Sequence, residues 1–123
     1  MKKTLFLLIL GLALTLAACH PKAESLIGEW VADKVNVQFD EYRSTPGLVR
    51  QIGEMEKQNR ISISTDSLLV FKGLQTETQG HLTLGNNDSL FCDGWFFGQW
   101  EEGKIITSTT SPLGEITVVY RKK

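Results

Sequence analysis

The side chains best suited to nucleophilic or metal chemistry in this chain of 123 residues are two cysteines and two histidines. A hairpin turn at Asn86 and Asn87 would place His81 opposite Cys92, where an imidazole can help to form a thiolate nucleophile. That register leaves both side chains on the outer face of the hairpin. No third orienting residue and no group that stabilises an oxyanion accompanies them. We therefore predict that the protein is not an enzyme.

Other combinations of polar residues give no stronger sign of chemistry. One of the two histidines, His20, lies in a polar segment near the N-terminus, so the chain holds no spaced set of metal ligands. The acidic pairs Glu54/Glu56 and Glu101/Glu102 are typical of solvated surface charge, and no glycine-rich phosphate loop occurs. The sequence predicts neither a metal nor a cofactor.

The N-terminus has the composition of a secretory signal peptide. Lys2 and Lys3 precede an apolar run over residues 5–18, which ends in small residues immediately before Cys19. The run is shorter than the roughly 20 apolar residues that a membrane-spanning helix needs. The other alternative is a secreted protein with an ordinary cleavage site.

The end of this run, Leu-Ala-Ala-Cys at residues 16–19, resembles the lipobox of bacterial lipoproteins. The resemblance implies that residues 1–18 are removed as a signal peptide and that Cys19 is acylated on its sulfur and new amine, with palmitate or similar chains. Two or more acyl chains hold a protein stably on a membrane. His20 rather than aspartate follows the cysteine, which by resemblance to a bacterial sorting rule favours the outer membrane of the cell envelope.

The remaining 105 residues suit one small domain. Residues 19–25 are predicted to form the lipidated cysteine and a short polar tether, and residues 26–123 the domain. Without Lys2 and Lys3 the chain has 11 basic residues against 14 acidic ones, a net charge of −3, and no basic stripe. This charge argues against nucleic-acid binding. The membrane, through the lipid anchor, is the first predicted partner.

The domain has the pattern of a mainly β fold. Val35 and Val37 alternate with polar neighbours, which indicates a long half-buried first strand, and Asp33 breaks the alternation. Thr45 followed by proline predicts one short helix over residues 46–57. Short apolar runs separated by turn signals follow. We predict a small antiparallel up-and-down barrel, or a strongly curled sheet, of seven or eight strands with one short helix after the first strand.

Turn signals suggest the register of the last two hairpins. A turn at residues 102–103 pairs Trp100 with Ile105. A turn at residues 112–113 pairs Ile105 with Tyr120. The face that collects the larger apolar side chains of these three strands is the predicted core: Phe96, Trp100, Ile105, Ile116, Val118 and Tyr120.

On the second strand of the preceding hairpin, the apolar face holds odd-numbered residues such as Phe91, whereas beyond Gly94 it holds even-numbered ones. A turn at residues 86–87 would pair Leu82 with Phe91 on its apolar face. A β-bulge at Asp93 and Gly94 would reconcile the two faces and let the sheet curl toward closure.

The opening of the domain, Gly28-Glu29-Trp30, resembles the Gly-x-Trp opening of the lipocalin superfamily, whose tryptophan closes one end of the barrel. Arg121 stands where related barrels often place a cation on that tryptophan, so the resemblance implies a cation–π contact. The chain most resembles the short lipocalin-like domains of bacterial lipoproteins, over about residues 25–123. Gly28 and Trp30 would then have a structural role.

Two functions remain open at this point. The first, implied by the lipocalin resemblance, is non-catalytic binding of a small apolar ligand in a cavity. Its candidate contacts are the aromatic residues expected inside the barrel: Trp30, Phe96, Trp100 and Tyr120. The second is a solid barrel that binds an envelope protein or a polysaccharide through an exposed aromatic surface. Trp95 and Phe97 on the other face are its candidate anchors.

Overall fold

The computed structural model describes residues 23–123. A helical turn, α1 (Ala23–Leu26), precedes the first strand, β1 (Gly28–Phe39), and a helix of 11 residues, α2 (Pro46–Glu56), follows it. Seven further strands complete the fold: β2 (Arg60–Ile63), β3 (Leu68–Lys72), β4 (Glu77–Leu84), β5 (Ser89–Cys92), β6 (Trp95–Glu101), β7 (Lys104–Ser111) and β8 (Gly114–Lys122). A 3-10 turn (Asn86–Asp88) joins β4 to β5.

The eight strands pair antiparallel in chain order, and β8 pairs with β1, so the sheet closes into a barrel. This confirms the predicted mainly β, up-and-down fold with one short helix after the first strand. Closure leaves no free outer edge of the kind that an open sheet presents. The largest fully buried side chains form its core: Leu26, Trp30, Ile61, Leu69, Leu90, Ile105 and Tyr120. Within residues 23–123, no helix has the length and apolar character to cross a bilayer.

The helix α2 begins where the sequence predicts it. The Thr45 side chain caps its N-terminus by accepting a hydrogen bond from the backbone N–H of Leu48 at 3.2 Å, and Pro46 occupies the first turn. The helix ends at Glu56, one residue before the predicted end. None of its side chains is fully buried, and it packs against β1 with its half-buried apolar residues.

Trp30 fills one end of the barrel, which we call the lower end because α1 and the first residue of β1 also lie there. Its side chain is 1% exposed, and its Nε1 donates a hydrogen bond to the carbonyl oxygen of Leu26 at 3.0 Å. The Trp30 ring meets the Trp100 ring edge to face, with 6.0 Å between centroids. Both contacts fix the indole where the resemblance to lipocalins places it.

The cation on Trp30 is Lys122 and not Arg121. Lys122 Nζ lies 5.8 Å from the centroid of the Trp30 ring and donates a hydrogen bond to the carbonyl oxygen of Ser25 at 3.0 Å. Arg121 instead pairs with Asp33 at 3.5 Å, with its side chain more than half exposed. The predicted contact of Arg121 with the tryptophan is therefore wrong. Alternation along β8 explains it, because successive residues of a strand point to opposite faces.

Asp33 breaks the alternation of β1 because it is a β-bulge. The register between β1 and β8 shifts between Ala32 and Lys34, so that Asp33 has no partner of its own on β8. The residues that face the core are therefore even-numbered before the bulge and odd-numbered after it. Ala32 and Val35 both pack against the core as a result.

The predicted registers of the last hairpins are confirmed close to their turns. Trp100 pairs with Ile105, and Ile105 pairs with Tyr120. The β6–β7 register extends only as far as Gln99 and Ile106, whereas the β7–β8 register continues to the turn at residues 112–113. We call the end of the barrel that holds this turn the upper end.

The predicted register of the β4–β5 hairpin is wrong by one residue. The connection is the three-residue turn Asn86–Asp88 rather than a two-residue turn, and Asn87 and Asp88 both have positive φ, at 58° and 59°. Leu82 therefore pairs with Cys92 and not with Phe91. Asn and Asp tolerate this backbone region better than other non-glycine residues do, which makes the longer turn accessible.

The predicted bulge at Asp93 and Gly94 is also wrong. These two residues form the β5–β6 turn, with φ of 51° and 82°, as the tight hairpins that favour Asp-Gly require. The register shift lies further along, because Leu90 pairs with Gly98 whereas Phe91 pairs with Phe96.

The β-bulge on β6 exchanges the faces expected for Phe96 and Phe97. Phe97 is the extra residue of β6 between the pairs Leu90–Gly98 and Phe91–Phe96. Its ring packs against the core and meets the Phe71 ring edge to face, with 6.3 Å between centroids. Phe96, expected inside, is 60% exposed and its ring lies against Phe91 at 5.9 Å. The assignment of Phe96 to the interior and of Phe97 to the outer face is therefore wrong.

Candidate functional site

Most of the aromatic residues predicted to line a cavity belong to the packed core. Trp30 and Tyr120 are each 1% exposed, and Trp100 is half-buried against Trp30. Phe96, the fourth of the set, lies at the surface. The structure thus does not bring the four together around one space.

The polar group of Tyr120 is satisfied within the core. Its hydroxyl accepts a hydrogen bond from Asn59 Nδ2 at 3.3 Å, and Asn59 also donates to the carboxylate of Glu56 at the end of α2. Burial raises the pKa of Tyr120, an effect that its hydrogen bonds with Asn59 and Thr107 oppose. This network joins α2 to the barrel interior, so the role of the Tyr120 hydroxyl is structural.

A cleft of about 310 Å³ opens in the barrel wall near the upper end. The cause is the shortness of β5, which ends at Cys92 while β4 continues alongside β3 past the last β4–β5 pair. We call this space the upper cleft. Its apolar lining consists of Leu69, Phe71, Trp95, Phe96 and Phe97.

The lining of the upper cleft runs from the core to the surface. Leu69 is fully buried and forms its floor, and the Phe71–Phe97 ring pair lies above. Trp95 stands at the mouth with 81% of its surface exposed. The cleft therefore offers a graded apolar path from solvent to the barrel interior. Apolar clefts of this kind, with a few polar groups, are the usual sites of small molecules.

Asp93 and its neighbours supply the polar groups of the upper cleft. The backbone N–H of His81 donates to Asp93 Oδ1 at 2.7 Å, and the backbone N–H of Asp93 donates to the His81 carbonyl at 2.9 Å. Thr78 and Gln79 of β4 line the opposite wall. The cleft thus combines aromatic surface with the Asp93 carboxylate and polar residues of β4.

Gly80 allows the β5–β6 turn to lie this close to β4. A Cβ atom at Gly80 would come within 2.6 Å of Cys92 Sγ and 2.7 Å of Asp93 Cγ. Only a residue without a side chain fits there unless these two move. Sequence reasoning missed Phe71, Gly80 and Asp93 as site residues. In the sequence, only the alternation along residues 68–72 indicates that Leu69 and Phe71 lie on the same face of their strand.

Cys92 lines the cleft as a thiol, and it does not meet His81. Its strand partner is Leu82, which points inward, whereas His81 is exposed. The partner of His81 on the neighbouring strand β3 is Leu68. The predicted Cys92–His81 opposition is therefore wrong. Burial, followed by the charge of Asp93, raises the pKa of Cys92 and keeps its thiol protonated.

A second, larger cleft of about 460 Å³ lies on the outer face of β1, β2 and β3. Its lining has one aromatic residue, Trp30, three aliphatic residues (Val31, Ile61 and Val70), and six polar or charged ones: Glu29, Arg60, Ser62, Lys72, Glu77 and Lys123. Arg60 and Lys72 are direct strand partners there, and Glu77 neighbours Lys72. Size alone would favour this space, but six of its ten lining residues are polar or charged. The upper cleft is the better site for an apolar molecule. Within residues 23–123, no group of three or more potential metal ligands clusters.

No protein-family model, curated protein or solved structure matches this chain. The chain forms a closed barrel of eight antiparallel strands, an architecture consistent with the lipocalin-like fold, with an aromatic cleft beside the β5–β6 turn.

Proposed function

We propose that this protein is a lipid-anchored lipoprotein of the bacterial cell envelope whose lipocalin-like barrel binds a small apolar ligand without catalysis. The observation that carries the proposal is the upper cleft, which joins an exposed tryptophan to the barrel core through the Phe71–Phe97 pair. Its volume of about 310 Å³ is at the lower end of the range for small-molecule sites. A compact ligand rather than a long lipid fits this volume.

The ligand is placed in the upper cleft and not around Trp30, Trp100 and Tyr120. Those three side chains pack on one another and on neighbouring core residues. A ligand among them would have to displace close-packed atoms, and every displaced atom pair forfeits its dispersion attraction. The proposed ligand contacts are therefore Phe71, Trp95 and Phe97, with Phe96 at the rim.

The membrane anchor rests on Cys19, which lies outside the described residues together with the signal peptide and most of the tether. α1 begins at Ala23, four residues after Cys19. Four residues span at most about 14 Å, so lipidated Cys19 would hold the lower end of the barrel close to the bilayer. The upper cleft would then face away from the anchoring membrane and remain accessible to a ligand in the surrounding compartment.

Native mass spectrometry tests ligand binding most simply. Residues 20–123, made without the lipid anchor and purified under mild conditions, should carry an added mass that disappears on denaturation. A clean apo mass that does not change after exposure to a mixture of small apolar molecules would count against the ligand proposal.

The second candidate function is an interaction module for an envelope protein or a polysaccharide. It is favoured by the exposure of two adjacent aromatic side chains, Trp95 and Phe96, on one edge of the cleft. Exposed aromatic residues are enriched among residues that anchor partners. In this case Trp95→Ala should weaken capture of the partner from an envelope extract. Native mass spectrometry of the unsubstituted protein should then show no added mass of a small ligand.

A further inference from the structure

The charge in the upper cleft has one sign. Asp93 is the single charged residue in its lining, which is otherwise aromatic, aliphatic or neutral polar. Arginine, lysine and histidine are absent from that lining. In the part of the chain that the structure describes, the ion pairs do not include Asp93. Asp93 is exposed, so its carboxylate lies at the solvent-facing mouth of the cleft, where a cationic group of a ligand can reach it.

The backbone fixes the position of this carboxylate. Asp93 Oδ1 accepts from the backbone N–H of His81 at 2.7 Å, and the residue adopts a φ of 51° in the two-residue turn with Gly94. Its other oxygen, Oδ2, lies over Gly80, 2.7 Å from where a Cβ atom would stand. One oxygen therefore holds the turn, and the other is left for a donor in the cleft.

The field of Asp93 reaches the lining of the cleft. After burial, the charge of Asp93 is the second cause that raises the pKa of Cys92. Trp95 follows Asp93 by two residues, across the turn, and offers the face of an exposed indole at the same mouth. A carboxylate and an indole together favour a positively charged group, one by charge and the other by its π-electrons.

We propose that the upper cleft selects small organic ammonium ions with an aromatic or aliphatic body over neutral and anionic molecules of the same shape. The inference rests on the proposed binding of a small apolar ligand and adds its charge. The apolar body packs on Phe71 and Phe97, and the ammonium group donates to Asp93 Oδ2 and lies near Trp95. A carboxylate ligand would meet Asp93 with no cation to receive it, so fatty acids are disfavoured.

Three probes of nearly equal size test the selection: 2-phenylethylamine, 2-phenylethanol and 3-phenylpropanoate. Each is titrated by calorimetry into the full chain in lipid nanodiscs, with empty nanodiscs as the blank. We expect the amine to bind several-fold more tightly than the propanoate, with the alcohol between them, because a charge-assisted hydrogen bond to an exposed carboxylate is gained in one case and repulsion arises in the other.

Asp93→Asn isolates the charge. Asparagine also tolerates a positive φ before glycine, and its side-chain oxygen can still accept from the backbone N–H of His81, so the turn is kept. The variant should bind the three probes with nearly equal affinity. Glu102→Gln, which removes one charge in the corresponding two-residue turn between β6 and β7 at the lower end, should keep the preference for the amine. A preference that survives in Asp93→Asn overturns the role of Asp93.

The outcomes separate the inference from the function on which it rests. If the alcohol binds and the amine binds no better, the inference of an ammonium ligand is wrong and apolar-ligand binding stands. If none of the three probes binds above the nanodisc blank, the ligand proposal and the inference are both overturned. A preference for the amine that is lost only in Asp93→Asn supports both.

Discussion

The Asp93 carboxylate and the backbone of His81 close the end of the β4–β5 pair. Asp93 Oδ1 accepts the His81 N–H at 2.7 Å, and the His81 carbonyl accepts the Asp93 N–H at 2.9 Å. The two bonds continue the pairing for one step beyond Cys92, the last residue of β5. Above this point the upper part of β4 has no partner on β5, and the upper cleft begins.

The exposed and the half-buried aromatic residues of the cleft should differ in their effect on stability. Trp95→Ala should change the free energy of unfolding by no more than about 0.5 kcal/mol, since its side chain is mostly in solvent. Phe97→Ala should cost about 1.5–3 kcal/mol because the ring packs on Phe71 and the core, although it is only partly buried. Urea unfolding followed by circular dichroism measures both. Equal costs for the two variants would contradict the position of the bulge on β6.

Lys122 should contribute more to stability than its neighbour Arg121. Lys122→Met loses a cation near the Trp30 ring and a hydrogen bond to the Ser25 carbonyl, which together are worth about 1 kcal/mol. Arg121→Met loses only an exposed ion pair with Asp33, worth about 0–1 kcal/mol. Thermal unfolding compares these matched variants. A larger loss of stability in Arg121→Met than in Lys122→Met would contradict the assignment of Lys122 as the cation on Trp30.

Gly98 should not tolerate a side chain. A Cβ atom there would lie 2.5 Å from the backbone carbonyl oxygen of Ile106, at the point where β6 and β7 begin to separate. Because a backbone atom cannot rotate away, Gly98→Ala should destabilise the barrel by about 1–3 kcal/mol. Gly53→Ala in α2 is the control. No atom lies within 4 Å of its Cβ position, and it should stabilise the helix by about 0.5–1 kcal/mol.

Alkaline pH should destabilise the barrel through Tyr120. Burial raises the pKa of this phenol above its usual 10.0, so the unfolded chain ionises first. The stability is therefore fully present below about pH 10 and is lost as the pH rises through the higher folded-state pKa. Tyr120→Phe should lose about 1 kcal/mol near neutral pH through its missing hydrogen bonds, and show a smaller further loss toward about pH 11. An identical pH dependence in both proteins would argue against a buried, protonated Tyr120.

The sequence predicts the strand architecture well where turns and alternation agree. The cap at Thr45, the pairing of Ile105 with Tyr120 and the number of strands all follow from local patterns. The errors cluster where one extra residue changes the parity of a strand. The turn Asn86–Asp88 has three residues where the pattern predicts two, and the bulge on β6 lies at Phe97 instead of at Asp93 and Gly94.

These one-residue shifts explain why the site was harder to predict than the fold. The strand count does not depend on them, whereas the face of every side chain beyond each shift does. Phe96 and Phe97 exchange roles for this reason. The cleft itself arises from unequal strand lengths, because β5 has four residues and β4 has eight. Neither length is set by the local sequence alone, since tertiary pairing decides where each strand ends.

The central claim, that an apolar ligand occupies the upper cleft, is tested most directly at Cys92. Its thiol lines the cleft, and in residues 20–123 it is the single cysteine, so alkylation by iodoacetamide reports on this site alone. We predict that saturation with the neutral apolar dye N-phenyl-1-naphthylamine slows alkylation about tenfold or more, because the bound molecule covers the sulfur. An unchanged alkylation rate while the dye is bound would contradict the account, since the ligand would then lie elsewhere on the barrel.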